Sequence, residues 1–129
     1  MRNSPLPSIK TAADFGRAYR QGMAVRDRHF SLYFRENGLG HARLGLSVSK
    51  KAGNAARRNK LRRWIREFFR HRGADFAGTD IVVSARLAAA GLFPSCRYSD
   101  VEGELLRIVR RRDRKKGAAP PQVMLPEEQ

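Results

Sequence analysis

The sequence predicts an α/β (α+β) two-layer sandwich whose elements follow the order helix, strand, strand, helix, strand, helix. The chain has 129 residues, of which 41% are hydrophobic, so it can bury one core but hardly two. The stretches 30–35 and 43–49 alternate apolar and polar residues, which is typical of strands. The stretches 55–71 and 100–112 repeat apolar residues every three or four positions, which is typical of helices packed on a sheet.

The chain begins with a segment, residues 1–10, that has two prolines and no periodicity, and we expect it to be a flexible arm. Thr11, followed three residues later by Asp14, is a capping-box pattern that starts a helix. Gly22 is a typical residue at a helix end. The sequence therefore predicts a first helix over 12–21.

Two alternating stretches follow, and the turn signal Asn37-Gly38 lies between them. We expect them to pair as a hairpin whose core face carries Phe30, Leu32, Phe34, Leu44, Leu46 and Val48. On the other face, Tyr33 stands opposite small residues of the second strand. That face has two interpretations: an ordinary solvated surface, or a platform on which a nucleic-acid base stacks. The strand pattern alone favours the solvated surface.

The second half of the chain carries a long helix, a strand and a last helix. Asn54 is a good N-cap, so the long helix is predicted over 55–71. The segment "DIVVSAR", 80–86, is predicted to be the third strand. Ser99 and Glu102 match a second capping box, which would open the last helix.

The domain boundaries follow from these elements. We predict a single domain over 11–113, with the connection 87–98 left unassigned. Residues 114–129 are Pro-rich and show no sustained periodicity, so they are predicted to form a disordered tail.

The charge of the chain is strongly positive, with 27 Lys and Arg against 12 Asp and Glu and a net charge of +15. An excess of Arg indicates a nucleic-acid partner, because guanidinium binds phosphate with two parallel hydrogen bonds. A membrane partner is not expected, since no apolar run approaches the roughly 18 residues needed to span a bilayer. One cysteine, Cys96, cannot form an internal disulfide, and no signal peptide is evident, so we expect a cytoplasmic protein.

The segment 49–72 combines ten Lys or Arg residues with a regular apolar pattern. On a helix the apolar residues separate to one side: Leu61, Trp64, Ile65, Phe68 and Phe69. The other side presents a row of four arginines: Arg58, Arg62, Arg66 and Arg70. Like charges four residues apart destabilise a helix by a few tenths of a kcal/mol per pair, and only Glu67, four residues after Arg63, offers local relief. A solvated basic face is the alternative, but this density of cations favours a nucleic-acid partner.

Catalytic groups are not evident. The histidines His29, His41 and His71 are scattered over strand, turn and helix end. Asp75 and Asp80 lie near each other in sequence, but caps and surface charges explain them better than a two-metal nuclease site. The segment 49–72 also lacks the Gly-rich pattern of a nucleotide-triphosphatase loop. We therefore expect no catalytic residue and no metal ligand in the protein.

The segment 43–70, "RLGLSVSKKAGNAARRNKLRRWIREFFR", resembles the signature of the protein subunit of bacterial ribonuclease P. That family carries a strand, then S-K-K-x-G-N-A, then a helix with R-N-x-x-[KR]-R-x-x-R-E. The resemblance extends from about Phe15 to Arg112. It implies a small mixed sheet with a left-handed βαβ crossover, the ribosomal protein S5 domain 2-like fold.

The resemblance also implies a function. In the family, an RNA subunit hydrolyses the substrate with magnesium ions, and the protein binds that RNA and the 5′ leader of precursor tRNA. No cofactor of the protein itself, no membrane and no obligate protein partner is expected.

The resemblance assigns two sets of residues in this chain. The set that matches the RNA-binding segment is Lys50, Lys51, Asn54, Arg57, Arg58, Asn59, Lys60, Arg62, Arg63, Arg66 and Arg70. The set that matches the leader groove is Phe15, Tyr19, Tyr33, Ser47 and Ser49. Two residues depart from the family pattern: Lys60 stands where Arg is common, and Trp64 replaces an aliphatic residue on the buried side.

Two other classes of protein have similar size and charge. One is a ribosomal or other structural RNA-binding protein, which lacks the signature at 49–67. The other is a DNA-binding regulator with 55–71 as its recognition helix. A strand and a glycine precede that helix here, where such a regulator has a short helix and turn.

Overall fold

The computed structural model describes residues 5–85 and 95–118, which form one mixed four-stranded sheet and three helices. The elements are α1 (Ala12–Gln21), β1 (Met23–Arg26), β2 (Phe30–Glu36), β3 (Arg43–Val48), α2 (Ala55–Arg70), β4 (Thr79–Ala85) and α3 (Tyr98–Ala118). The predicted helices at 12–21 and 55–71 are thus confirmed, and the predicted third strand is β4.

The strands are arranged in the order β1-β2-β4-β3. The predicted hairpin of β2 and β3 is wrong, because β4 lies between them, antiparallel to β2 and parallel to β3. The parallel pair is joined through α2, as expected for a βαβ crossover. Strand β1 was not predicted, since its four residues are too few to show an alternating pattern.

The central place of β4 follows from its composition. Ile81, Val82 and Val83 are consecutive and fully buried, so both faces of this strand are covered. A continuous apolar run is typical of a strand inside a sheet, whereas β2 and β3 alternate. The turn at Asn37-Gly38 exists, with Gly38 at φ 71°, but it leads to a strand that is not adjacent to β2.

The main core lies between one face of the sheet and the helices α2 and α3. It contains the predicted strand residues together with the apolar sides of both helices: Phe30, Leu32, Phe34, Leu44, Val48, Leu61, Ile65, Phe68, Phe69, Val101, Leu105 and Ile108. Leu46 is only partly buried at its margin. The opposite face of the sheet packs a smaller cluster against α1, in which Ile9, Ala18 and Val82 are buried.

The helix ends follow local hydrogen bonding. The Thr11 hydroxyl accepts from the Asp14 backbone N–H, and the Asn54 side chain accepts from that of Arg57, so both predicted N-caps are confirmed. The predicted cap of the last helix is wrong. Helix α3 begins at Tyr98, and the Asp100 carboxylate accepts from the Arg97 backbone N–H at 2.8 Å.

The predicted arm and tail both differ locally from the structure. The backbone of Ile9 donates to the Leu44 carbonyl at 3.0 Å, and Leu44 donates to Pro7 at 2.8 Å. The arm therefore adds a short parallel bridge to the exposed edge of β3, which protects that edge from other strands. Helix α3 continues to Ala118, so residues 114–118 are helical. The remaining tail residues, 119–129, and the connection at 86–94 lie outside the described residues.

Candidate nucleic-acid interface

Helix α2 has the two faces that its sequence predicts. Leu61, Ile65, Phe68 and Phe69 are fully buried. Arg63 and Arg66 are exposed on the outer side, and within the described part of the chain neither forms a hydrogen bond or an ion pair. The helix thus packs into the core through one face and exposes cations to solvent on the other.

The turn before α2 explains part of the signature. Gly53 has φ 143°, a conformation that favours glycine, and its carbonyl accepts from Arg58 Nε at 3.2 Å. Asn54 caps the helix through its side-chain oxygen, which leaves its amide nitrogen as a donor. Lys50 and Lys51 form a short 3-10 turn and are exposed. The motif therefore builds the start of the helix and surrounds it with positive charge.

Asn59 orients an arginine. Its side-chain oxygen accepts from Arg62 Nη1 at 3.0 Å, one helical turn away. A guanidinium held in this way loses less side-chain freedom when it binds phosphate. Asn59 itself is exposed, so its amide nitrogen remains available to a ligand.

Arg70, the last arginine of the predicted row, is engaged within the helix. Its guanidinium donates to both oxygens of the Glu67 carboxylate, at 3.1 and 2.7 Å, and His71 lies 2.9 Å from the same carboxylate. Hydrogen bonds from Arg70 and then His71 lower the pKa of Glu67 to about 2. The expected relief of Arg63 by Glu67 is thus replaced by the pair with Arg70.

The two departures from the family pattern lie side by side. Lys60 Nζ is 5.7 Å from the centroid of the Trp64 ring, a cation–π distance. Trp64 packs edge-to-face on Tyr98, with 6.4 Å between ring centroids, at the junction of α2 and α3. Trp64 is therefore a packing residue, and the ammonium of Lys60 lies over its ring.

The aromatic residues of α1 and β2 form a second feature on the α1 side of the sheet. Tyr19 and Tyr33 meet edge-to-face with centroids 4.9 Å apart, and Tyr19 is 40% exposed. Alternation along the strands places Ser47 and Ser84, which are half-buried, on the same face beside Tyr33. A row of small polar residues thus lies next to two tyrosines. Ser49 is exposed where β3 ends.

Phe15 packs against the sheet. A Cβ atom at Gly45 would lie 2.8 Å from the Phe15 ring and 3.2 Å from Ile9, so the glycine makes room for that ring. Phe15 is half-buried as a result. Its ring still contributes to the α1 aromatic group, 6.4 Å from Tyr19.

A cleft of about 250 Å³ is lined by members of both predicted sets: Arg62 and Arg66 of the RNA-binding set and Phe15 of the leader set. Leu46 of β3 also lines it. The arm residues Leu6, Ser8 and Ile9 close it. The sequence does not indicate that the arm contributes to this cleft. The segment that forms the bridge to β3, residues 7–9, is too short to show a periodic pattern.

Asp80 lies beneath α1 in a buried ion pair, which contradicts the expected surface charge. Its carboxylate accepts from Arg43 Nε and Nη2 at 2.8 and 2.7 Å, and from the Asn37 amide at 2.8 Å. Arg43 also lies 3.4 Å from Asp14. Asp75 is exposed on a separate 3-10 turn. In the described ranges, no three His, Cys, Asp or Glu side chains are grouped to hold a metal ion.

Comparisons with known proteins agree with one another. A model of the Ribonuclease P family matches residues 6–113. The ribonuclease P protein component of Thermotoga maritima is 38% identical over 104 residues, which cover 80% of this chain and 89% of that protein. The corresponding protein of Staphylococcus haemolyticus is 44% identical over 102 residues, covering 79% and 86%.

Solved structures show the same fold. The RNase P protein of Staphylococcus aureus matches with a TM-score of 0.72 and 38% identity, covering 80% of this chain and 92% of that one. The RNase P protein of Thermotoga maritima matches with a TM-score of 0.71 and 35% identity, covering 81% and 96%. The chain therefore belongs to the family of the bacterial ribonuclease P protein component, a subunit of an endoribonuclease of tRNA processing.

Proposed function

We propose that this protein binds the catalytic RNA of ribonuclease P through the outer face of α2 and the 5′ leader of precursor tRNA in the α1 groove. The α1 groove comprises the cleft beside Phe15 and the neighbouring residues Tyr19, Tyr33 and Ser47. The RNA hydrolyses the leader bond with magnesium ions, and the protein positions the substrate. The observation that carries this proposal is the cleft that Arg62, Arg66 and Phe15 line together. Cations suited to phosphate and a ring suited to a base occur there within one cavity.

The groove favours single-stranded RNA. The bases of an unpaired strand can stack on aromatic side chains, and each such contact contributes about 1–3 kcal/mol whatever the base. Tyr19 is exposed and the ring of the half-buried Tyr33 meets it, and Ser47 offers a hydroxyl to a ribose or a phosphate. These contacts would hold a leader without requiring a particular sequence.

Magnesium has no suitable ligand set among the described carboxylates near this interface. Asp80 and Asp14 are bonded to arginines, and Glu67 is bonded to Arg70 and His71. Magnesium needs oxygen ligands in near-octahedral geometry, and these oxygens are already engaged. In the proposal, the ions are held by the RNA.

Replacing Arg62 with alanine is expected to weaken binding to ribonuclease P RNA and to flatten its salt dependence. One lost phosphate contact lowers the log–log slope of affinity against salt by about 0.7–0.9. Filter binding over a range of KCl concentrations measures both quantities.

Arg97→Ala is the matched control, because it removes one exposed positive charge from a residue that is not on α2 and not in the predicted RNA-binding set. We expect it to leave the slope close to that of the wild type. A slope for Arg62→Ala equal to that of the control would contradict a phosphate contact at Arg62.

A further inference from the structure

Helix α3 carries a second cluster of cations that the signature does not include. Arg107, Arg110, Arg111, Arg114 and Lys115 recur at intervals of three and four residues, and Arg26 of β1 lies beside them. We call these six residues the α3–β1 surface. They cover a stretch of helix about 12 Å long, since each residue adds 1.5 Å.

The α3–β1 surface lies at the opposite edge of the sheet from β3. Strands β1 and β3 are the two outer strands, separated by three strand spacings of about 4.8 Å each, or roughly 14 Å. Helix α2 contacts β3, whereas α3 contacts β1. The α3–β1 surface is therefore distinct from the cations of α2. Tyr33 pairs with Ala24 of β1, so the tyrosines beside α1 lie one strand away from this surface, on the other face of the sheet.

The charge of this surface is poorly compensated. Asp27 is the carboxylate that meets it among the described residues, 3.2 Å from Arg107 and 3.5 Å from Arg111. Asp113 instead pairs with the buried Arg112. Arg110 and Arg114 are exposed and, within the described residues, form no hydrogen bond or ion pair. Six cations against one carboxylate create a positive potential that attracts an anionic partner.

The edge of β1 is closed to a peptide strand. Arg111 Nη2 donates to the Arg26 carbonyl at 2.7 Å, and Lys115 Nζ donates to the Ala24 carbonyl at 3.4 Å. These carbonyls would otherwise accept from an added strand. Carbonyls are neutral, so these bonds leave the positive charge of both side chains in place.

The lining of the surface indicates which anion it suits. Two clefts of about 470 and 390 Å³ run between the side chains. Among the residues that the structure describes, their lining contains Arg, Lys, Asp, Ala and Val but no aromatic or amide residue. A single strand would find no ring on which to stack. A double-stranded RNA presents phosphates at its surface and is recognised by shape and charge.

We propose that the α3–β1 surface binds the phosphate backbone of a double-stranded RNA segment, independently of the α2 and α1 surfaces. A protein that binds RNA through the α3–β1 surface and also through α2 or the α1 groove can hold two RNA segments at once. This inference goes beyond the proposed function, because it concerns a different surface and holds whether or not a leader binds beside α1.

The test compares two variants of the full-length chain that change the net charge equally. Arg110→Ala combined with Arg114→Ala removes two positive charges from the surface, and Arg97→Glu makes the same change at the start of α3. Fluorescence anisotropy measures the affinity for a labelled blunt RNA duplex and for an unstructured single-stranded RNA of equal length, each against KCl concentration. A second titration adds the duplex to protein saturated with the single strand.

We expect the double variant to flatten the log–log salt dependence of duplex affinity by about 1.8, which corresponds to two lost phosphate contacts, and to leave the salt dependence of single-strand affinity unchanged. Arg97→Glu should leave the duplex slope unchanged. The wild type should still bind the duplex when saturated with the single strand. Equal slopes for the two variants, displacement of one RNA by the other, or an equal loss for both RNAs would each overturn the proposal.

Discussion

Replacing Asp80 with alanine is expected to destabilise the folded protein by about 3 kcal/mol. The substitution removes a carboxylate with no solvent exposure and leaves Arg43, among the described residues, with only its longer contact to Asp14, at 3.4 Å. Breaking a buried ion pair in this way costs about 3–5 kcal/mol. The lower end of this range applies because the Arg43 side chain is 19% exposed and keeps its ion pair with Asp14. Urea unfolding followed by circular dichroism measures the loss.

Asp75→Ala is the matched control for this measurement. Asp75 is exposed, so its loss should change the free energy of unfolding by no more than about 0.5 kcal/mol. An equal effect of the two substitutions would show that the ion pair beneath α1 adds nothing to stability.

The pH dependence of the Asp80 effect has a definite sign. Burial would raise the pKa of Asp80, but hydrogen bonds from Arg43 and Asn37 outweigh it and lower the pKa below its usual value. The contribution of Asp80 is therefore fully present above the unfolded-state pKa of about 4 and is lost as the pH falls through the lowered folded-state pKa. The wild type and Asp80→Ala should differ less in stability at acid pH than at neutral pH.

Replacing Tyr33 with alanine is expected to weaken the binding of precursor tRNA to the assembled complex by about 1–3 kcal/mol. This is the contribution of one base stacked on an aromatic ring. Tyr33 is half-buried, and its ring meets that of Tyr19. Equilibrium binding of labelled precursor tRNA to protein assembled with ribonuclease P RNA measures the change.

Tyr33→Phe serves as the control, because it keeps the ring and loses only the hydroxyl. Its affinity for precursor tRNA should stay close to that of the wild type. Mature tRNA, which lacks the leader, should bind the wild type and Tyr33→Ala alike. An equal loss of affinity for mature and precursor tRNA would contradict a leader contact at this residue.

The sequence predicts helix α2 well because its period and its caps agree. Asn54 starts the helix, the apolar side from Leu61 to Phe69 is buried, and the cations occupy the opposite side. The helical periodicity does not show which cations form ion pairs or hydrogen bonds with neighbouring side chains. Arg70 has the expected position in the row of arginines, yet its guanidinium donates a hydrogen bond to the Glu67 carboxylate.

The sequence does not determine the strand order, because pairing depends on long-range packing. A turn signal at Asn37-Gly38 indicates a local reversal but not which strand lies next to β2. The consecutive Ile81, Val82 and Val83 are the one local sign that β4 is central. The partner of Asp80 is equally non-local, since Arg43 comes from a strand 37 residues earlier in the chain.

In the candidate site, too, local features can be predicted from the sequence, whereas long-range contacts cannot. The signature locates the residues of α2, but the cleft depends on α1 and on the arm, which meet α2 only in the folded chain. Phe15 illustrates this point: Gly45, 30 residues away, decides how closely its ring approaches the sheet.

Cleavage by a reconstituted complex tests the central claim most directly. The purified protein is mixed with a bacterial ribonuclease P RNA and a precursor tRNA at limiting magnesium, and the release of the 5′ leader is followed over time. We predict that leader removal under these conditions depends on both the RNA and the protein. Cleavage by the protein without the RNA, or the same rate with and without the protein, would contradict the proposed function.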